Sequence, residues 1–352
     1  MGLFRKKFIP GLLAPDYPDS RDYLLSDIQP EKVELPESFD LRGLMTPVEN
    51  QRNKGVCYSY ATCAIKQYLD TRELKKINWK WNEKENSMVL TVSYDYINLS
   101  ERFLVHFVKK ISGLWDIMGD YFRNSLKAIT KYGACLEESW PTDLSLCWQK
   151  FAKEEPPLSA QKEALKYRGG SYWRIVPITA ENIKQAIYQN QVPVLIGMSW
   201  HRNFNRPEKD GKLPLPDKKS VGGHAVCCVG WNKNKIYFRN SWGPKWGNNG
   251  YFYILEEEFE KYPIWDCWVL LDYEPVKTYE GYVAIKYLKA KSFKKGQKVY
   301  PTYNLNLRKS PSLKGEKIIT IPKNTECEVL EESIYKADGY TWQKIKVSIE
   351  ND

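Results

Sequence analysis

Histidine is scarce in this 352-residue chain, and signatures of several common protein classes are missing from its sequence. Only three histidines occur, at positions 106, 201 and 224, so few residues could act as an imidazole base. No apolar run approaches the roughly 20 residues that a membrane-spanning helix requires. There is also no glycine-rich phosphate loop and no aromatic–basic binding motif. We therefore expect no membrane span and no nucleic-acid partner.

The spacing of the eight cysteines argues against a zinc site. None of them forms paired C-x-x-C sets, so we expect no metal and no other cofactor. This pattern suits a reducing compartment, although one disulfide is still compatible with it. The apolar run Phe8–Ala14 is interrupted by Pro10 and Gly11 and is too short for a signal-peptide core. The expected location is therefore the cytoplasm or a virion.

The sequence does contain enough apolar material for a packed core. Hydrophobic residues make up 42% of the chain and aromatic residues 14%, and the length suits two or three domains. The 53 basic and 43 acidic side chains give a net charge of +10, of which +6 lies from Ile285 onward. A basic surface could meet anionic wall polymers, membranes or nucleic acid, although general solubility is the simpler interpretation.

The order of the predicted elements favours an α+β fold with two lobes and a cleft between them. Helical spacing of apolar residues dominates the first half of the chain, and strand-like runs dominate the second half. Helices are predicted at 57–74, 93–110, 122–132 and 180–190, and strands at 192–198, 225–231, 235–240 and 250–255.

Composition divides the chain into four parts. Residues 1–34 are a Pro/Asp-rich extension that could lie across the surface or the cleft as a lid. Residues 35–272 form the main domain, and 273–293 form a linker. Residues 294–352 contain short alternating strands separated by turns, which predicts a small all-β barrel.

The first candidate for chemistry is Cys57, which follows a glycine and stands at the start of a predicted helix. The amino terminus of a helix carries roughly half a positive charge, and this favours a thiolate. We therefore predict that Cys57 becomes a thiolate with a pKa below 7, compared with a pKa of ~8.5 for a free cysteine. Taken alone, this cysteine would more simply be a buried structural residue.

Two further segments supply candidate partners for a thiol. His224 follows Gly222 and Gly223 and enters an apolar strand, and Asn240 precedes Trp242 by two positions. An asparagine carbonyl can accept the Nδ1–H of an imidazole, which would leave Nε2 facing the thiol. An indole over that pair would keep water away. The simpler alternatives are a strand-end histidine and a core tryptophan.

Together these segments resemble the papain family of cysteine peptidases, particularly its prokaryotic and viral members. The stretches that carry the resemblance are LPESFDLRGLMTPVENQRNKGVCYSYA, GGHAVCCVGW and RNSWGPKWGNNGYFYI, in the family's order of Cys, His and Asn. The resemblance covers roughly residues 35–272. It implies a two-lobed fold with a helical lobe and a β-barrel-like lobe.

The resemblance also implies a role for each residue of the catalytic set. Cys57 would attack the scissile carbonyl, and His224 would form the thiolate–imidazolium pair and protonate the leaving amine. Asn240 would orient His224. Gln51 would donate its side-chain N–H to the oxyanion, with the backbone N–H of Cys57 as the second donor.

The implied substrate-binding residues are Gly119, Gly223 and Trp242. Gly119 would pair with the substrate backbone, and Trp242 would shield the His–Asn bond. The chain departs from the family signature at Lys54, which replaces its first cysteine, so the family's disulfide is absent there. The gaps from Cys57 to the histidine and asparagine exceed the signature's ~130–150 residues, which implies inserted loops.

The carboxyl-terminal segment resembles a bacterial SH3-like domain. Asn306-Leu307-Arg308 followed by Ser310-Pro311 matches that family's opening motif, and Trp342 matches its closing tryptophan. The resemblance implies a peptidoglycan or peptide ligand. A structural spacer or an oligomer contact is the alternative.

Three functions remain open at this point. The first is a cysteine endopeptidase that acts on protein or peptide substrates. The second is a cell-wall-directed amidase or endopeptidase of the same fold, targeted by the SH3-like domain. The third is a non-catalytic structural or virion protein that retains the fold.

Overall fold

The computed structural model describes residues 12–29, 31–73, 76–82, 87–93, 96–272 and 277–349. The chain divides into two compact units, Met1–Asp272 and Tyr273–Asp352. Among the described residues, no helix is long and apolar enough to cross a bilayer.

The large unit contains all the α-helices of the described chain. They are α1 (Leu25–Ile28), α2 (Cys57–Glu73), α3 (Glu101–Ser112), α4 (Phe122–Tyr132), α5 (Trp148–Lys153), α6 (Leu158–Ala164) and α7 (Ala180–Asn190). Helices α2, α3 and α4 pack on one another and form the helical lobe.

Local sequence explains the ends of α3. The Ser100 side chain accepts a hydrogen bond from the N–H of Phe103, which satisfies a donor that the first helical turn leaves without a partner. Gly113 ends the helix in the left-handed conformation, at φ 72°. These caps define both ends of α3, which packs against α4 and against the short strand that precedes α4.

The strands of the large unit lie mainly in its second half. They are β1 (Leu13–Ala14), β2 (Ser38–Asp40), β3 (Lys76–Asn82), β4 (Ser87–Ser93), β5 (Asp120–Tyr121), β6 (Ser171–Arg174), β7 (Val194–His201), β8 (Ser220–Asn232), β9 (Lys235–Arg239), β10 (Tyr251–Leu255) and β11 (Ile264–Leu271). Seven of them form an antiparallel sheet in the order β10-β9-β8-β7-β11-β6, with β2 also paired to β8.

Strand β8 is the centre of this sheet and packs against α2 of the helical lobe. Its residues from His224 to Trp231 are all buried, and helices α2 and α7 both pack against this strand. The sulfhydryl of Cys227 donates to the carbonyl of Ala61 at 3.4 Å, which ties the strand to the helix. The predicted α+β class is confirmed.

Several elements differ from the prediction. The charged stretch 75–90, for which no element was predicted, contains the hairpin β3–β4, and the predicted helix 93–110 begins at Glu101. Helices α5 and α6 lie in the stretch 142–170, where no element was predicted. Strand β11 was not predicted, because its run IWDCWVLL follows a charged segment and lacks clear alternation.

The small unit is a single seven-stranded antiparallel sheet. Its strands are β12 (Lys277–Ala284), β13 (Leu288–Lys289), β14 (Lys298–Pro301), β15 (Leu305–Arg308), β16 (Lys317–Ile321), β17 (Cys327–Ala337) and β18 (Tyr340–Ile349), in the order β13-β14-β17-β18-β12-β15-β16. Val283, Leu307, Val329 and Ile345 are fully buried in its core.

The structure differs from the expected linker over 273–293. Strand β12 lies within that stretch and pairs with β18 from Lys277 to Ala284. The small unit therefore needs the residues before 294, because without β12 the long strand β18 would lose one of its two neighbours.

Candidate active site

Cys57 is the first residue of α2, and its side chain is fully buried. The backbone N–H groups of Tyr58 and Ala225 lie near its Sγ atom. The first contact belongs to the amino terminus of the helix, and the second belongs to β8. The thiol therefore lies between the two lobes, beside the residue that follows His224.

His224 is buried within β8, opposite Met198 of β7. Its Nε2 lies 2.8 Å from the Oδ1 of Asn240. The sequence analysis assigned this bond to Nδ1, and that assignment is wrong. The ring nitrogen that contacts Asn240 is Nε2, so Nδ1 lies on the side of the imidazole away from Asn240.

Asn240 follows β9 and is itself held in place. Its Oδ1 also accepts the backbone N–H of Ser241 at 2.8 Å. The carbonyl oxygen that orients the imidazole is thus fixed by its own neighbour, which restricts rotation of the amide.

Two tryptophans contact the imidazole, and a third packs against both of them. The Trp242 ring lies 5.0 Å from the His224 ring, and the Trp200 ring contacts it edge-on at 4.7 Å. Trp246 packs against both tryptophans. The sequence analysis identified Trp242 but not Trp200. Trp200 reaches the site only because the β7–β8 register places it opposite Gly222, two residues before the histidine.

Gln51 is fully buried and has a fixed orientation. Its Oε1 accepts the hydroxyl of Ser241 at 2.5 Å, and its Nε2 donates to the carbonyl of Lys54 at 2.8 Å. The backbone N–H of Gln51 donates to the carbonyl of Ser241 at 2.9 Å. Sequence reasoning missed Ser241, which connects Gln51 to Asn240.

Lys54 takes a structural position where the family signature has a cysteine. Its ammonium donates to the carbonyl of Leu146 at 2.8 Å and lies 4.9 Å from the centre of the Phe151 ring. Burial lowers the pKa of Lys54. All eight cysteines of the chain are free thiols.

The amino-terminal extension passes through the cleft over Cys57. Its residues Leu13 and Ala14 pair in parallel with Asp120 and Tyr121, and the backbone N–H of Leu13 lies near the Sγ of Cys57. This is the lid position that the sequence analysis considered for residues 1–34.

The two glycines predicted to bind substrate lie directly under this extension. A Cβ atom on Gly119 would stand 2.0 Å from the carbonyl oxygen of Leu12, and one on Gly223 would stand 2.0 Å from that of Leu13. Only glycine permits a backbone to approach so closely at both positions. The Leu13 side chain is buried beside Gly197.

The covered site holds an electrically neutral pair. Burial raises the pKa of the Cys57 thiol to about 12, and burial lowers the pKa of His224 to about 4, although the Asn240 hydrogen bond opposes the second shift. This state differs from the predicted thiolate, because the extension and the two lobes exclude water from both groups.

These features define a class of protein: a two-lobed α+β fold with a cysteine at a helix start and a histidine–asparagine pair on the facing sheet. Residues 35–269 match the papain family of cysteine proteases. This chain belongs to that family, and it is a cysteine peptidase.

Individual relatives are similar to the chain over most of its large unit. An uncharacterized peptidase C1-like protein of Acanthamoeba polyphaga mimivirus is 29% identical over 72% of this chain and 84% of its own length. Chymopapain of Carica papaya is 28% identical over 72% of this chain and 64% of its own length. The structure of xylellain, a cysteine protease from Xylella fastidiosa, matches 77% of this chain and 99% of its own at 25% identity, with a TM-score of 0.59.

Proposed function

We propose that this chain is an endopeptidase that cleaves peptide bonds with Cys57 as nucleophile and His224 as base. One observation carries the proposal: Asn240 holds Nε2 of His224 at 2.8 Å on the strand whose next N–H contacts the Cys57 sulfur. Nδ1 of His224 then exchanges the proton with the thiol, because Nε2 is committed to the asparagine.

The reaction proceeds in two steps. The thiolate of Cys57 attacks the scissile carbonyl carbon, the C–N bond breaks, and the imidazolium of His224 gives its proton to the leaving amine. Water then attacks the thioester carbonyl and His224 takes one proton from it. The C–S bond breaks, the acid product leaves, and the thiolate–imidazolium pair is restored. The atoms balance as peptide plus water to acid plus amine.

Gln51 stabilises the oxyanion in this proposal. Within the protein, its amide oxygen accepts one hydrogen bond and one of its two N–H groups donates another. The second N–H is the one that donates to the substrate oxygen in this proposal. The backbone N–H of Cys57 is the second donor. A donor of this kind typically stabilises the transition state by ~3 kcal/mol.

The substrate backbone binds where the extension now lies, over Gly119 and Gly223, and Trp242 shields the bond between His224 and Asn240. The proposed enzyme is therefore latent until residues 12–16 leave the cleft. Burial of the thiol beneath Leu13 supports this latency, because a covered sulfur cannot reach a carbonyl.

The test is turnover of a quenched fluorescent peptide library in a chain carrying Leu13→Ala, which loosens the extension. Activity that disappears on Cys57→Ser and survives the matched change Cys147→Ser, at an exposed thiol, supports the proposal. Activity that survives Cys57→Ser would refute it. The cleavage profile would also define the substrate preference.

For the small unit we propose an SH3-like domain that binds peptidoglycan or a peptide and so directs the enzyme to its substrate. Residues 285–315 contain nine lysines or arginines and no acidic residue, which favours an anionic partner. This targeting is the feature that favours the cell-wall-directed alternative. A structural role in a virion is less favoured, because every catalytic side chain is present and oriented. The proposed location is the cytoplasm or a virion.

A further inference from the structure

Two arginines on the wall of the cleft bind the extension through its acidic residues. Arg123, the second residue of α4, contacts Asp16 at 3.1 Å through Nη1 and Asp22 at 2.8 and 2.6 Å through Nε and Nη2. Its backbone N–H also donates to Asp16 at 2.9 Å. The guanidinium and the first turn of α4 thus converge on one carboxylate.

Arg174, the last residue of β6, completes the cluster. It donates to the Asp16 carbonyl at 2.7 Å and to the Asp22 carboxylate at 3.1 Å. Outside the extension, the guanidinium also donates to the carboxylate of Asp266 at 3.2 Å. Asp16 and Asp266 are nearly inaccessible to solvent, so the cluster is a built site and not a solvated surface.

Both guanidiniums lie over the ring of Trp268. The Trp268 indole is fully buried, and its centre lies 5.6 Å from the Arg123 guanidinium and 5.2 Å from that of Arg174. Stacking on this ring fixes both cations when the extension is absent.

The cluster lies along the path of the proposed substrate. Asp16 is three residues beyond Leu13, whose N–H contacts the catalytic sulfur, so an extended chain places the carboxylate roughly 10 Å from Cys57. Arg123 follows Tyr121 of β5, the strand with which the extension pairs, by two residues. A peptide paired with β5 would therefore bring a side chain to the same place.

The charges differ between the covered and the open cleft. The extension contributes two carboxylates, Asp16 and Asp22, and with Asp266 they outnumber the two arginines. When the extension leaves, two guanidiniums face Asp266 alone, and the site has a net charge of +1. One substrate carboxylate would then balance it.

Building on the proposed peptidase function, we propose that Arg123, Arg174 and the first turn of α4 form a subsite for an acidic side chain of the substrate, which Asp16 occupies in the latent chain. The enzyme thus selects peptides with aspartate or glutamate at one position on the acyl side of the cleaved bond. Charge-assisted, bidentate contacts of this kind favour glutamate over its neutral isostere glutamine by about tenfold.

The test uses the full chain and pairs of tetrapeptidyl acyloxymethyl ketones, which alkylate an active-site thiol irreversibly. Each pair carries glutamate or glutamine at the second, third or fourth residue before the ketone, with the other residues alike. Mass spectrometry measures the rate at which Cys57 is modified. Both members of a pair need the extension to leave, so their rate ratio reports the subsite alone.

We expect a ratio of about tenfold at one of these positions. Arg123→Gln should bring it close to one, and the matched control Lys127→Gln, exposed one turn along α4, should leave it unchanged. Asp16→Ala should raise the rates of both members of each pair without changing their ratio.

A ratio near one at every position in the unaltered chain, with Cys57 modified by both members, would refute the subsite and leave the peptidase proposal intact. No modification of Cys57 by any probe, in the unaltered chain or in Asp16→Ala, would overturn both. The ratio in the unaltered chain decides the question even if Arg123→Gln fails to fold.

Discussion

The proposed catalytic residues are oriented by a short chain of contacts that crosses the cleft. Asn240 holds His224, Ser241 follows Asn240, and the Ser241 hydroxyl holds the amide of Gln51. One loop therefore positions both the proposed base, His224, and the proposed oxyanion donor, Gln51. This coupling gives Ser241 a role that its residue type alone does not indicate.

We predict that Gln51→Ala lowers kcat by roughly 100-fold and changes KM little, because its N–H contacts the oxyanion only in the transition state. Ser241→Ala should lower kcat by a smaller factor, about tenfold, because the amide remains but is held at fewer points. Steady-state kinetics on a fluorogenic peptide, in the Leu13→Ala background, measures both. An unchanged kcat in Gln51→Ala would remove this residue from the mechanism.

The sequence motifs predicted side chains that the structure brings together, but not how those side chains are oriented. Cys57, His224 and Asn240 each stand in a local pattern that is visible in the sequence. The choice of Nε2 over Nδ1, the contact of Trp200 with the imidazole and the bond from Ser241 to Gln51 all depend on strand register and loop packing. Those features are non-local, so periodicity and spacing do not determine them.

At the scale of elements, the buried pair between Lys109 of α3 and Asp120 of β5 fixes the edge of the cleft. Their side chains are fully buried, the ions are 2.9 Å apart, and the ammonium also donates to the carbonyl of Gly119. The proposed substrate-binding Gly119, which immediately precedes β5, is thus anchored to α3.

Lys109→Met should destabilise the large unit by ~3–5 kcal/mol, because it leaves the Asp120 carboxylate buried without a counter-ion. Lys110→Met is the matched control: this neighbour forms an exposed ion pair with Glu155 at 3.3 Å, and its loss should cost less than ~1 kcal/mol. Urea unfolding followed by tryptophan fluorescence measures both. Equal midpoints would contradict the buried ion pair.

The extension should be held most tightly at acid pH. Burial and the adjacent Asp266 carboxyl raise the pKa of Asp16 from 3.8 to about 7, against the opposing effect of Arg123. Asp22 and Arg174 complete the charged groups of the cluster, so three carboxyls share two arginines while the extension is docked. A single substrate carboxylate in the open cleft would share the two arginines with Asp266 alone, so its charged form is the favoured one there. A carboxyl whose pKa is raised on docking binds its proton more tightly in the docked state. Docking of the extension is therefore strongest below about pH 4 and weakens as pH rises. Above about pH 7 Asp16 is deprotonated in both states, so its titration no longer changes the strength of docking.

The rate of Cys57 alkylation, measured from pH 5 to pH 8, tests this pH dependence. Asp16→Asn mimics the protonated form, so the rate in the unaltered chain divided by the rate in this variant should rise with pH. The ionisation of the thiol itself is common to both proteins and cancels in the ratio. A ratio that stays constant or falls would show that Asp16 does not control the extension.

At the scale of the whole molecule, the chain combines a peptidase unit with a separate β-sheet unit. Every proposed catalytic and substrate-binding residue lies before Asp272, and the small unit has its own core. The division was visible in the sequence as a change to short alternating strands. The expected boundary at 294 was too late, because β12 pairs with the distant strand β18, and no local signal marks that pairing.

Removal of residues 273–352 should leave turnover of a small peptide largely unchanged in the Leu13→Ala background. It should abolish the salt-sensitive part of binding to peptidoglycan, because the basic residues of 285–315 are lost. Sedimentation with peptidoglycan at low and high salt, beside peptide turnover, measures the two effects. Equal sedimentation of both proteins would refute targeting by the small unit, and lost turnover in a folded truncation would refute the independence of the peptidase unit.

The central claim is that Cys57 and His224 form the working pair of a peptidase that its own extension covers. Its most direct test is the alkylation rate of each cysteine by iodoacetamide, read by mass spectrometry at pH 6. In the unaltered chain Cys147, which is exposed, should react faster than Cys57. In Leu13→Ala, Cys57 should become the fastest thiol, and His224→Ala should remove that advantage. If Cys57 in the Leu13→Ala chain reacts no faster than the buried Cys63, or equally fast without His224, the account is contradicted.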